Sequence, residues 1–478
     1  MMKNKKLYIA LITTAFTLGS CKSPKLTQEE SVKLPSMFID EADSTTMATM
    51  SWKEFFPDQR LKAYIDTALT NNHSFLKAIE QVSIARSQMK VGKGAMLPEV
   101  MLGIGGGVQR FGEYTMDGVG NSTTNTPDLQ ADKHIPDPYK NFNLGVSFQW
   151  EADVWGKLND KRRASVQRWM RSVEATRLAQ TMLICEVANM YYTLVGLDKK
   201  EYVLHQAIEK TRESQVLAEE LMKEGEESRL SVDQFRSRGL KLEDMLLETE
   251  QEIAENERVF AILLGKYPFD VVRSSFEEVS SYGFPVDVGI PTQLLHNRPD
   301  VVAAEMELLA CKLDASAARK TFFPSLVIGG NGGWDAFNLE KWFRSPASMV
   351  YNLAAGITAP IFKRNEVRAL WNQTKSNQRM ALLEYHKIVL QSYVEVVDLI
   401  TASEQMNLRK ELKAEESRIH HRAIYNANEL FKTGFAGYLD VLSSDERYLD
   451  CELERIELNV AYCKLHTMLY RSLGGGSF

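Results

Sequence analysis

Adjacent histidines and a run of glycines are the first places to look for chemistry in this chain. His420 and His421 are neighbours, and on a helix they point about 100° apart, poor geometry for one metal. The other six of the eight histidines are scattered. Gly103, Gly105, Gly106 and Gly107 look like a phosphate cradle, but no helix start follows them, so they fit a strand better than a nucleotide loop. The 19 methionines do not cluster, and core packing explains them better than a metal path does. Cys185, Cys311, Cys451 and Cys463 fall on apolar positions of helical patterns. Cys451 and Cys463 stand roughly 18 Å apart along one helix, too far to bridge. Four small buried hydrophobes are expected, with no catalytic set, no resident metal and no enzyme activity.

Cys21 is different. Lys3, Lys5 and Lys6 precede an apolar run, Leu7 to Leu18, that is too short to span a bilayer, and Gly19-Ser20-Cys21 follows. The arrangement is similar to the lipobox of bacterial lipoproteins, in which the cysteine is lipidated and becomes the N-terminus. The alternative is an ordinary export signal with an incidental cysteine. Residues 1–20 are read as a lipoprotein signal peptide and 21–51 as an irregular, lipid-anchored arm, with a covalent lipid on Cys21 and no other cofactor. The remaining composition is that of a folded chain of 478 residues, 44% hydrophobic and 25% charged. A net charge of −6 argues against a nucleic-acid partner. No other stretch approaches eighteen apolar residues, so any crossing of a membrane by the mature chain requires a barrel.

The elements that carry these residues come in two sets. Residues 71–107 align with 297–333 at an offset of 226, matching Asn71 with Asn297, Ala78 with Ala304, Pro98 with Pro324 and Gly107 with Gly333. Gly225, Leu230 and Val232 match Gly434, Leu439 and Val441 at an offset of 209. The difference, 17 residues, belongs in 109–141, a Gly-, Asn-, Thr-, Asp- and Pro-rich exposed loop. Each half then reads helix, strand, loop, strand, long helix, turn, helix. The first half, 52–265, has helices over 60–95, 158–222 and 230–264 and strands over 99–108 and 142–152. The second, 298–473, has helices over 298–321, 365–432 and 438–472 and strands over 325–334 and 350–361. Residues 266–297 link the halves, and 474–478 form a tail.

The strands alternate. Val100, Leu102 and Ile104, then Phe142, Leu144, Val146, Phe148 and Trp150, take every second place. Leu326, Ile328 and Trp334 are apolar too, as are Tyr351, Leu353, Ala355, Ile357, Ala359 and Ile361, and the residues between are mostly Gly, Asn, Ser, Thr and Gln. Each run is about the 9–11 residues a tilted transmembrane strand needs, apolar outward and polar inward. Four strands cannot close a barrel, and about eight, from two copies, enclose only side chains. Three copies pooling their strands leave a lumen. The 65-residue helix 158–222, about 98 Å long, needs neighbours beside it. Leu442, Leu449, Ile456, Cys463 and Tyr470 recur every seven residues, with Leu453, Val460 and Thr467 four after three of them, which is coiled-coil spacing. The fold class read from these patterns is mainly α with transmembrane β in an oligomer of at least three, the alternative being a soluble sandwich or an amphipathic hairpin over a helical core. The family resemblance given next implies a trimeric 12-strand β-barrel continued by long coiled-coil helices as a periplasmic α-barrel.

LGSC at 18–21, WEADVWGK at 150–157, EVANMYYTLVGL at 186–197 and LLHNRPDVVAAE at 294–305 occur in order with further motifs. These are ARKTFFPSL at 318–326, APIFKRNEVRA at 359–369, EVVDLI at 395–400, FKTGFAGYLDVLSSDERYL at 431–449 and LYRSLGGG at 469–476. From about residue 52 to 476 the chain resembles the TolC-like outer-membrane efflux proteins, specifically the lipoprotein branch that serves resistance-nodulation-division pumps. The resemblance implies a homotrimeric, non-enzymatic duct in outer-membrane lipid, joined by a periplasmic adaptor to an inner-membrane pump, exporting small toxic compounds. It implies adaptor docking at the two helical turns, marked by Gly225, Ser228, Leu230 and Val232 and by Gly434, Gly437, Leu439 and Val441. Asp440 matches a position where acids narrow the pore, Ser443 stands where some members carry a second acid, and Asp233 is a first-half gate candidate. The repeat equates Asp440 with Ser231 rather than Asp233, and a helix N-terminal acid is the plainer reading of Asp440. Metal cations or secreted polypeptides are alternative cargoes, and a pore-less periplasmic scaffold is the alternative from another class.

Overall fold

The computed structural model describes residues 34–38, 46–285 and 287–476. Cys21 and the expected signal peptide, residues 1–20, lie outside the described residues. The chain divides into two units, Met1–Pro35 and Ser36–Phe478, and every described helix and strand belongs to the second. Its principal elements are α1 (Gln59–Asn71), α2 (His73–Gly94), β1 (Glu99–Gln109), β2 (Tyr139–Ala152), α3 (Lys157–Glu224) and α4 (Arg229–Leu263), then α5 (Pro299–Lys320), β3 (Ser325–Ala336), β4 (Met349–Thr358), α6 (Glu366–Lys432) and α7 (Tyr438–Ser472). At 68 and 67 residues, α3 and α6 are each about 100 Å long.

Four expectations are corrected. The helix expected over 60–95 is two helices, because Asn72 leaves helical geometry and caps α2, its Oδ1 accepting the Phe75 N–H at 2.9 Å. The loop 109–141 contains a helical segment, Met116–Thr124, capped by the Thr115 hydroxyl. β4 ends at Thr358 rather than 361. The arm is irregular only in part: Thr46 bridges Val288, and Met47, 2% exposed, opens a single turn packed in the core.

The duplication is built into the joints. Asn72 donates from Nδ2 to the Leu263 carbonyl at 2.9 Å, and Arg298, its equivalent, donates from Nη1 to the Ser472 carbonyl at 2.9 Å. Leu263 and Ser472 are themselves equivalent at the offset of 209. Gly265 and Gly474, both at positive φ (64° and 98°), press against the carbonyls of Asn71 and Asn297, where an added Cβ would sit 2.4 Å from each oxygen. In each half, the last helix is therefore fastened to the start of the helix that leads into the first strand, α2 in one half and α5 in the other.

The main core surrounds the middle of α3 and the ends of α4 and α7, with Tyr191, Tyr192, Phe56, Phe260 and Tyr470 all buried. The linker belongs to it: Phe276, Val279, Phe284 and Leu294 are buried. Tyr191 holds this region together, donating to Asp58 and accepting from the Ser274 N–H, both at 2.8 Å. The four cysteines are free and buried, as expected. On α7, Leu449, Ile456, Cys463 and Tyr470 of the heptad seam are each below 5% exposed.

His466 is wholly buried between Phe284 and Tyr462, and among the described residues neither of its ring nitrogens has a hydrogen-bond partner. Burial, with Lys410 adding to it, pulls its pKa down to about 4. The folded chain therefore holds His466 neutral where the unfolded chain, with a pKa near 6.5, takes up a proton. This contribution is intact above about pH 6.5 and is lost as pH falls toward 4, at up to about 1.4 kcal/mol per pH unit. Thermal unfolding followed from pH 7.5 to 4.5 should show a shallower decline in His466→Phe; parallel curves would contradict the assignment.

Candidate channel wall and pore end

β1, β2, β3 and β4 form one antiparallel sheet in that order, and among the described residues no strand pairs with the outer edge of β1 or β4. Register decides what each face carries. Val100, Leu102 and Ile104 pair with Phe148, Val146 and Leu144, while Trp150 pairs with Ile328 and Leu144 with Trp334. Leu326 and Gly330 pair with Ile357 and Leu353. The apolar positions of all four strands thus share one face, as the alternation expects. It lies open: Leu102 is 75% exposed, and Ile104, Leu353 and Ile357 are each 74% exposed. On the opposite face, Ser147, Asn331 and Asn352 form a row across three strands, and Asn143 pairs with Asp335. The glycines 103, 105 and 107 lie on this polar face opposite Gly145, Asn143 and Asn141.

Strand turns to helix at matched positions. Gly156 (φ 72°) and Asn365 (φ 64°) are equivalent at the offset of 209 and both precede a long helix in left-handed geometry, a conformation tolerated by glycine and asparagine. Asp153 caps α3 with both carboxylate oxygens, accepting the N–H groups of Leu158 at 2.9 Å and Asn159 at 2.8 Å. Lys320 and Ser316 of α5 both donate to the buried Asp160 at 2.6 Å, and Trp155 donates to the Pro324 carbonyl at 2.6 Å. WEADVWGK is thus a fastened corner between sheet and helix. Sequence reasoning marked the switch but missed Asp160, whose partners are over 150 residues away.

At the far end, α3 turns into α4 and α6 into α7 through the same device. Gly225 and Gly434 sit at φ 81° and 76°, and the next residues, Glu226 and Phe435, donate back five places to Leu221 and Leu430 at 2.9 Å. The turn residues separate into two sets. Leu230 and Leu439, at 57% and 60%, are exposed, as are Gly225, Ser228, Gly434 and Gly437. Val232 and Val441, expected among the docking residues, are instead buried at 5% and 3% in a tip core with Ala218, Phe235, Ala427 and Phe431. Asp440 is exposed, and its carboxylate accepts the Gly437 N–H at 3.0 Å, capping α7. Ser443 is exposed one turn on, and Asp233, also exposed, pairs with Arg229 at 3.3 Å. The equivalent of Asp440, Ser231, is buried and donates to the Ser228 carbonyl at 2.6 Å. The first tip thus turns its hydroxyl inward, and the second turns a carboxylate out.

Among the described residues, no helix is long and apolar enough to cross a membrane. The model of the outer membrane efflux protein family matches residues 64–266 and 290–475. The chain is 25% identical to the pyoverdine export outer membrane protein OpmQ of Pseudomonas putida, over 98% of this chain and 97% of that one. It is 23% identical to the cation efflux system protein CusC of Escherichia coli, over 97% and 98%. Its fold matches the open-state crystal structure of the Neisseria gonorrhoeae MtrE outer membrane channel with a TM-score of 0.81 at 22% identity, covering 95% of this chain and 98% of that one.

Proposed function

Because this chain belongs to the outer membrane efflux protein family, we propose that three copies of it form one duct through the outer membrane, anchored by lipid on Cys21. The observation that carries this reading is the four-stranded sheet, open at both edges, with one apolar and one polar face. In a closed ring, β1 of one copy pairs antiparallel with β4 of the next, the apolar face meets lipid and the polar face meets water. Three copies give twelve strands, enough for a lumen. The helices supply a second reason for pooling. Leu383 and Leu390, and Leu412 and Ile419, on α6 and Leu240 and Leu247 on α4 lie exposed in pairs seven residues apart, and the helices of a neighbouring copy cover such stripes.

The duct works passively. A periplasmic adaptor docks at the exposed parts of the tips, around Leu230 and Leu439, and a pump of the resistance-nodulation-division type drives cargo into it. Small toxic organic compounds are the first choice of cargo. The likeness to a cation efflux protein makes metal ions the second. Minimal inhibitory concentrations of organic toxicants and of metal salts for a deletion strain separate the two. Detergent-extracted protein should run as a trimer and conduct in a planar bilayer; a monomer soluble without detergent would refute the duct.

Asp440 from three copies places like charges around the narrow end, with Ser443 beside it and Asp233, held by Arg229, further round. Asp440→Ala should raise single-channel conductance and weaken cation preference. Unchanged conductance would leave Asp440 as a helix cap alone.

A further inference from the structure

Glu201 and His205 lie one turn apart on α3, and Glu250 faces them from α4. One ligand atom from each, an imidazole nitrogen and two carboxylate oxygens, lies within 4.8 Å of the other two. The rest of this seam is stitched by opposite charges: Lys200 pairs with Glu252 at 3.2 Å on one side, and Arg212 with Glu243 at 3.6 Å on the other. Between those pairs, the same two antiparallel helices bring two acids and an imidazole together. None of the three side chains has a hydrogen bond or an ion pair with any described residue. Left bare, the two carboxylates repel each other; a cation among them turns repulsion into attraction.

The scaffold beneath is fixed. Leu204 and Leu242, both wholly buried, pack with Ala207, Ile208 and Leu449 in a cluster that joins the same two helices. The positions of the two helix backbones are therefore set by packing, and only exposed side chains need to move. A zinc ion with bonds of about 2.0–2.2 Å to nitrogen and oxygen holds its tetrahedral ligands about 3.3–3.5 Å apart. Rotamer changes in Glu201, His205 and Glu250 close that difference.

We propose that Glu201, His205 and Glu250 form a site for a divalent first-row metal ion of the zinc class, with water in the fourth position. The imidazole disfavours magnesium and calcium, which take oxygen ligands, and the absence of sulfur from the set disfavours copper(I). The ion clips α3 to α4 between the main core and the tip. It is a structural ion, separate from any cargo, and the proposal stands whatever the duct exports.

The test uses the full-length protein in detergent, stripped with a chelator. Zinc titrated against a chromophoric competitor should bind at one ion per chain, and cobalt(II) should give the visible absorption of a four-coordinate site. Zinc should raise the melting temperature of the stripped protein, and magnesium at equal concentration should not. His205→Ala and Glu250→Gln should each weaken zinc binding by about 10–100-fold or more, the scale of losing even an outer-shell partner, while leaving the metal-free melting temperature unchanged. Absence of stoichiometric zinc, zinc binding unchanged in both variants, or an equal response to magnesium would each overturn the proposal.

Discussion

Leu102→Arg should abolish assembly of the barrel while sparing the helical part of each chain. Leu102 lies near the middle of β1, pairs with Val146 and is 75% exposed on the apolar face. An arginine near the bilayer midplane on the lipid face of a barrel costs about 2–4 kcal/mol. In a ring of like subunits, every copy carries that cost. The heat-modifiable trimer band should therefore disappear from gels of the variant, with far-UV helicity retained. Asn352→Lys is the control. Asn352 pairs with Asn331 on the polar face, where a charge stays in water, so its trimer should persist. A Leu102→Arg protein that assembles like the parent would show that the apolar face does not meet lipid.

Arg298→Ala should be the most damaging change outside the sheet. Arg298 is 8% exposed, and its guanidinium engages three partners: Asp300 at 2.7 Å, Glu395 at 2.8 Å and the Ser472 carbonyl at 2.9 Å. Burial pulls its pKa down, and Asp300 and Glu395 more than reverse this, so it remains charged. Removing one member of a buried pair costs about 3–5 kcal/mol, because the remaining charge has no compensation. Glu395 keeps Arg471, which places the expected loss at the lower end, about 3 kcal/mol. Arg298→Lys keeps the charge but not the fork, and should recover only part of it. The same position in the other half offers a calibration. Asn72→Ala removes the bond to the Leu263 carbonyl and should cost about 1 kcal/mol. Thermal unfolding of the three variants should rank them in that order; an Arg298→Ala protein as stable as Asn72→Ala would show that the joint does not depend on the ion pairs.

The halves, the strand faces and the tip turns were legible in the sequence for a physical reason. Alternation, seven-residue spacing and a glycine at a left-handed position are local signals. Duplication then printed each of them twice, so that Gly225 and Gly434 vouch for each other. What escaped was set by distance along the chain. Asn72 breaks the helix by a local cap, but its second bond, to the carbonyl of Leu263, and the burial of Asp160 against Ser316 and Lys320 join residues far apart in the chain. Periodicity carries no trace of such partners. The turn residues failed in a more instructive way. Leu230 and Val232 are both apolar and both sit just past a turn, but a helix points them in different directions, so one lies exposed and the other is buried in the tip. A motif marks both and cannot tell the surface from the interior.

The two tips share a backbone and differ in what they show. Past its glycine the first carries Glu226, Glu227 and Arg229, all charged; the second carries Phe435, 84% exposed, and Ala436. In the proposed ring of three chains, ionic and oily headlands would therefore alternate, six in number but of only two kinds. A collar of six identical grips cannot meet them all in one way: it must either present two adhesive surfaces or leave every second headland bare.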